Sequence, residues 1–149
     1  MENVKQILFV NACMRGPERS RTWKLCQTFL NACKNRWPEA EIRERDLTFP
    51  AALKVYLEWA SMLGVTFRYT QEGEQVGMSR AGELVFITTA GGPLEGQNYG
   101  FDYLKGLAAM FGIPSARCLS AQELDIQGND PEAILQEAQG RAAGLAAEL

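Results

Sequence analysis

At 149 residues the chain has the length of one domain, residues 1–149, with room for a substantial core, and 46% apolar with 22% charged residues is an ordinary soluble composition. A net charge of -3 and a pI near 5.1 argue against nucleic acid or an anionic membrane as the main partner. No run is long and apolar enough to span a bilayer and the N-terminus lacks a signal peptide's apolar core, so the expected location is cytoplasmic.

The first element is a strand over residues 4–12, nearly all apolar from Ile7 to Val10. A loop rich in hydroxyls and arginines follows, ending in Ser20, Arg21 and Thr22, and it opens a helix with apolar positions at Leu25, Cys26, Phe29, Leu30, Cys33 and Trp37. Helix N-termini present free N–H groups and a partial positive charge, which suits a phosphate; Ser20 or Thr22 equally fits a plain N-cap. Neither a Walker loop nor a GxGxxG fingerprint is present, so a phosphate here would be held by hydroxyls and backbone amides.

Residues 41–47 alternate weakly and predict an edge-like second strand. Pro50 then opens a helix over residues 51–63, on which only Lys54, Glu58 and Ser61 form a polar stripe. Such a helix is buried on more than one side or meets another subunit, and a homodimer interface is the favoured expectation. Residues 65–69 alternate with period two before a turn at Glu72-Gly73-Glu74, a small β excursion.

The chain is organised around residues 84–111. Leu84-Val85-Phe86-Ile87 reads as a buried parallel strand, followed by Thr88-Thr89-Ala90-Gly91-Gly92-Pro93 and a helix from Tyr99 to Gly112. Ligands of open α/β sheets bind beyond the carboxyl ends of such strands, and glycines let a flat ligand approach the backbone; a turn that needs glycine for its own geometry is the alternative. A last strand over residues 115–119 precedes a helix begun by Asn129-Asp130-Pro131-Glu132, with Ile134, Leu135, Ala138, Ala142 and Leu145 on its apolar face. Alternating strands and helices predict a doubly wound α/β fold, a parallel sheet with helices on both faces.

The four cysteines, Cys13, Cys26, Cys33 and Cys118, form no CxxC pair, and the chain has no histidine, so a zinc site is not expected. Cys26 and Cys33 read as structural thiols on one helical stripe. Cys13 ends the first strand with no base and no resolving cysteine evident beside it. Without histidine the Ser-His-Asp and Cys-His machineries are absent, and any catalysis would come from a cofactor.

Asn11-Ala12-Cys13-x-Arg15 with Ser20-Arg21-Thr22, the stretch from Phe49 through Leu57 with Gly64 to Thr70, and the stretch from Thr88 to Asp102 appear in the order found in one family. Together they resemble the flavodoxin-like NAD(P)H oxidoreductases, the group of FMN-dependent NADH:quinone oxidoreductases and azoreductases. The resemblance implies that FMN lies across the carboxyl ends of the strands. It implies Ser20, Arg21 and Thr22 at the phosphate, and Thr89, Ala90, Gly91 and Gly92 against the ring. It also implies ping-pong hydride transfer from NADH or NADPH, through the flavin, to a quinone or azo acceptor.

The chain departs from the family at the third strand, whose carboxyl end carries a flavin loop of the type Pro-Tyr-Trp-Asp-Leu-Ser-Phe-Pro. Here the second strand runs almost directly into Asp46-Leu47-Thr48-Phe49-Pro50, with Asp46 and Leu47 readable as strand end or as the tail of that loop. One strand and its helix, about 30 or more residues, are absent. Closure to a shortened four-stranded 2-1-4-5 sheet is the expected answer; a strand from a partner chain, or a segment missing from the sequence as given, are the others. A shortened protein without flavin, acting as a dimerising or binding module, is the competing functional reading.

Overall fold

The computed structural model describes residues 5–13, 16–46, 50–94, 96 and 98–149; Leu47, one of the expected site residues, lies outside them. Strand β1 (Gln6–Asn11) leads through a short helix α1 (Gly16–Arg19) into α2 (Arg21–Arg36), then β2 (Glu41–Asp46) and α3 (Pro50–Ala60). A hairpin of β3 (Phe67–Tyr69) and β4 (Gln75–Gly77) precedes β5 (Leu84–Thr89), α4 (Tyr99–Phe111), β6 (Ala116–Ala121) and α5 (Pro131–Glu148). Each strand and long helix expected from the pattern is present. The last strand runs two residues beyond Leu119, and α3 stops three residues before Leu63.

The helix ends follow from local chemistry. Ser20 caps α2 by accepting the Trp23 N–H at 3.1 Å, and Asp130 caps α5 by accepting from Glu132 and Ala133, with proline in the first turn. Asn98 caps α4, which closes on Gly112 at φ 77°, a left-handed position suited to glycine. Gly112 also meets Gly77 of the hairpin. A side chain on Gly77 would come within 2.1 Å of the Gly112 nitrogen, so the hairpin docks on α4 backbone to backbone. The Ser79 N–H, donating to the Phe111 carbonyl at 2.9 Å, fastens that contact.

β1 and β2 are parallel, paired from Gln6 with Glu41 to Asn11 with Asp46, and β5 and β6 are parallel from Leu84 with Ala116 to Thr89 with Ala121. Alternation sends Ile7, Phe9, Ile42, Val85, Ile87 and Leu119 to one face, where Phe29, Leu30 and Cys33 of α2 meet Ala142 and Ala146 of α5. Leu25, Ala121, Leu124, Leu135 and Ala138 continue this layer toward the carboxyl rim. On the other face Phe86 stacks on Phe101 of α4, centroids 6.3 Å apart. The fold is thus flavodoxin-like, with parallel strands and helices on both faces.

The sheet does not close as expected. No ladder joins β1 to β5, and the four parallel strands stand as two pairs. The physical reason lies in the helices. α2 packs on α5 and reaches across to β5, so the two pairs are joined through the helix layer and not through a strand ladder. Central strands of such sheets are buried, whereas all six residues of β5 are only half-buried and Leu8 of β1 is 57% exposed.

At the amino ends of β5 and β6 the Arg117 guanidinium grips both oxygens of Glu83, one at 2.8 Å, and also reaches Glu148 at 2.8 Å. The Arg117 bond holds the Glu83 carboxyl below its ordinary value of 4.5, with Ser115 assisting. A carboxylate depressed in the folded state stabilises the fold above the unfolded pKa, and that contribution fades as pH falls through the folded one. Glu83→Gln is therefore expected to cost about 1 kcal/mol in urea unfolding at pH 7. The cost should vanish in acid below the lowered carboxyl pKa; one unchanged between pH 7 and pH 3 would exclude the ionic origin.

Candidate functional site

The carboxyl ends of β1 and β5 lie at one rim, and a single bond shows it. Thr22, in the first turn of α2, and Thr89, the last residue of β5, place their hydroxyl oxygens 2.8 Å apart, although 67 residues separate them in sequence. The loop after the first strand and the loop after the glycine-bearing strand are thus neighbours. Asp46 ends β2 opposite Asn11, at the same rim.

Of the two readings of Ser20, the capping one describes what its oxygen does. The residue is 7% exposed and accepts the Trp23 N–H, which leaves the hydroxyl proton to donate elsewhere. The Arg21 guanidinium turns to Asp125 at 2.9 Å, an exposed pair of a kind worth about 0–1 kcal/mol. Arg21 can exchange that partner for another anion at little cost.

The turn after β5 is clamped through its carbonyls to the turn after β6. Leu124, Asp125 and Glu123 donate their N–H groups to the carbonyls of Ala90, Gly91 and Gly92 at 3.2, 3.0 and 3.2 Å, and the Leu94 N–H reaches the Gln122 Oε1 at 2.7 Å. Glu123 makes this possible by adopting φ 62°, a left-handed backbone that costs an ordinary residue about 1–2 kcal/mol. The Asn129 side-chain amide holds the Glu123 carbonyl at 3.1 Å. Among the described residues no acceptor stands opposite the N–H of Gly91 or Gly92, so these two donors are presented outward.

The two glycines have different reasons to be glycine. A side chain on Gly91 would lie 2.4 Å from an Asp125 carboxylate oxygen, so Gly91 makes room for the partner of Arg21. One on Gly92 would meet no described atom within 4 Å, and its backbone is not left-handed. Nothing in the fold excludes a side chain at Gly92; what it borders is open space.

The strand ends carry further polar groups to which the sequence reading gave no role. Asn11 is 7% exposed; its side chain donates to Glu44 at 3.3 Å and accepts the Cys13 N–H at 3.0 Å, which turns the chain out of β1. Asp125, Gln122 and Glu123 belong here as well, and only the position of that loop after a strand could have signalled them. The expectation that Cys13 has no cysteine beside it is corrected: Cys26 of α2 is hydrogen-bonded to it. That bond first and burial second push the Cys26 thiol far above its ordinary range, so Cys26 is held as a neutral thiol.

The profile of the Flavodoxin_2 family, described as flavodoxin-like fold, matches residues 47–145. An FMN-dependent NADH:quinone oxidoreductase of Clostridium beijerinckii is 38% identical over 99 residues, 65% of this chain and 50% of that protein. In such matches the chain spans about half the length of the relative. A protein of the same name from Coprothermobacter proteolyticus is 26% identical over 197 aligned positions, 95% of this chain and 98% of the relative. That alignment is longer than the 149 residues present, so the relative has a stretch without counterpart here. Among solved structures, an azoreductase from Bacillus anthracis str. Sterne superposes with a TM-score of 0.84 at 18% identity, covering 98% of this chain and 100% of that one. An FMN-dependent NADH-azoreductase from Bacillus anthracis str. Ames Ancestor, in complex with FMN, gives 0.81 at 18% identity, covering 97% and 99%.

A half-buried hydroxyl pair linking two loops should show as energetic coupling. In a cycle of Thr22→Val, Thr89→Val and the double variant, a coupling of about 0.5–1.5 kcal/mol in unfolding free energy is expected. Strict additivity would show that the two loops are not joined through these residues.

Proposed function

The chain belongs to the Flavodoxin_2 family, and we propose that it is an FMN-dependent NAD(P)H oxidoreductase passing reducing equivalents to a quinone or azo acceptor. The observation that carries this reading is the Thr22–Thr89 bond, which gathers a hydroxyl-bearing helix N-terminus and a glycine turn around open space at one rim. The names of the relatives support the same reaction class.

The donor set fits the cofactor. Ser20 and Thr22 offer hydroxyls and Arg21 an exchangeable charge at the first turn of α2, which suits a phosphate. Thr89, Ala90, Gly91 and Gly92 offer backbone with two N–H groups that no described hydrogen bond uses and open space at Gly92, which suits a ring edge rich in acceptors. Asp46 would border the pocket from the end of β2, and Leu47 would follow it. FMN, when bound, supplies the hydride chemistry; the chain binds it, orients it and keeps water from one face. A chain without histidine loses nothing by this division, because no side chain has to move a proton in the hydride step.

The second reading, a flavin-free dimerising module, is favoured by α3. Val55 is 52% exposed and Trp59 77%, with Met62 and Leu63 also exposed beyond the helix end, an apolar face of the kind that meets another subunit. Dimerisation through this face is compatible with flavin binding, and a homodimer formed through it is part of the proposal, as is a cytoplasmic location.

Purified protein should be yellow, with a flavin absorbance band that survives desalting; colourless protein that takes up no added FMN would leave the second reading alone. Gly92→Val should abolish FMN titration while leaving the unfolding temperature unchanged, since the new side chain enters open space. Retained titration would place the ring elsewhere. Ser20→Ala with Thr22→Ala should weaken FMN at least tenfold more than riboflavin, about 1.4 kcal/mol of discrimination. Equal losses for the two ligands would mean only that a helix cap and a loop bond had been removed, and would take the phosphate away from this turn.

A further inference from the structure

Asp125 stands between the two halves of the rim. Its Oδ1 accepts from the Arg21 guanidinium at 2.9 Å, in the first turn of α2, and its Oδ2 lies against Gly91 in the turn after β5. That second contact is close enough that a side chain at residue 91 would collide with the carboxylate. A single carboxylate thus joins the turn that suits a phosphate to the turn that suits a ring.

The chain fixes this placement from several sides. The Asp125 N–H donates to the Gly91 carbonyl at 3.0 Å, and the N–H groups of Glu123 and Leu124 hold the carbonyls of Gly92 and Ala90. Glu123 adopts its left-handed backbone at φ 62° to allow this, and Leu124 is buried behind it. The backbone at residue 125 is therefore held, whereas its side chain is exposed and, among the described residues, accepts from Arg21 alone. Arg21 in turn pairs with no other carboxylate among the described residues. The part free to change is the ion pair, not the loop that carries it.

We propose that Asp125 is a specificity-determining residue at this rim, which opposes the phosphate of FMN by competing with it for Arg21; the inference rests on the proposed FMN reading. A phosphate monoester carries a charge of about −1.5 to −2 at pH 7. Held by the same guanidinium, it would stand within roughly 4–6 Å of the carboxylate, the range over which like charges disfavour one another. FMN either takes Arg21 from Asp125 or shares the cation with it. Both lower its affinity below what Ser20, Arg21 and Thr22 alone would give. Riboflavin has no phosphate and takes nothing from Arg21, so Asp125 narrows the preference for FMN over riboflavin.

The test is calorimetric titration of FMN and of riboflavin into the protein and its Asp125→Asn, Arg21→Gln and double variants. Asp125→Asn keeps the shape of the side chain; it should tighten FMN about three- to fivefold, the scale of an exposed charge pair, while moving riboflavin less than about twofold. Asp125→Ser, a second neutral replacement, should act in the same direction, and Asp125→Glu should bind FMN no tighter than the parent. The gain should vanish in the Arg21→Gln background and shrink in about 1 M NaCl, where the Debye length is about 3 Å. Weaker FMN binding by Asp125→Asn would make the carboxylate a support that holds Arg21 toward the phosphate, and unchanged binding would make the ion pair incidental. Either result overturns the proposal and leaves the FMN reading standing. An equal gain for both ligands, or one that survives Arg21→Gln, would trace the effect to the loop and overturn it too. If neither the parent nor any variant takes up a flavin, the FMN reading falls and this inference falls with it.

Discussion

Everything in this molecule depends on the contact between α2 and α5. Two pairs of strands that share no hydrogen bond are held side by side because Leu25, Phe29, Leu30 and Cys33 on one helix meet Leu135, Ala138, Ala142 and Ala146 on the other. The alanines are fully buried, and their small size lets the helix axes approach while the strands beneath contribute Ile7, Phe9, Val85 and Ile87 to the same core. Each large side chain buried there contributes about 1.5–3 kcal/mol, so a handful outweighs the ladder bonds that a closed sheet would have added at about 0.5–1.5 kcal/mol each. In the usual description of such folds the sheet is the frame and the helices its cover. Here the helix layer is the frame.

That inversion explains what could be read from the residues and what could not. The stripe from Leu25 to Cys33, the cap at Asp130 before Pro131 and the glycine stop at Gly112 are local signals, and the structure uses them as local chemistry requires. That β1 and β5 stay unpaired is a tertiary feature that no local window contains. Gly77 reads as an ordinary strand glycine until the end of α4 is placed against it. Cys13 lies in the loop after β1 and Cys26 on α2, and their contact exists only once α2 folds back along β1.

The rim itself follows the same division. The hydroxyl and glycine content of the two loops was visible as composition, and their meeting at Thr22 and Thr89 follows from the fold. Asp125 carried no signal of its own; it enters as the partner of Arg21 and as the reason Gly91 has no side chain. Glu123 shows the cost of that arrangement, a left-handed backbone accepted so that three consecutive amides can hold the neighbouring turn. The opposite rim is built differently, with Arg117 shared between Glu83 and Glu148. One end of the strands is fastened by a shared guanidinium, the other by hydroxyls, backbone amides and the exposed Arg21–Asp125 pair.

The three tryptophans fall in three separate settings. Trp23 lies against Phe9, ring centroids 5.8 Å apart, one turn into the helix that Ser20 caps. Trp37 ends that helix under the Lys5 and Arg36 cations at 4.6 and 4.8 Å, and Trp59 stands 77% exposed on α3. The chain therefore carries its own optical reporters. One indole watches the rim, one the far end of the core, and one the face that a neighbouring subunit would cover. Emission colour and quenching can distinguish events at those places without any label.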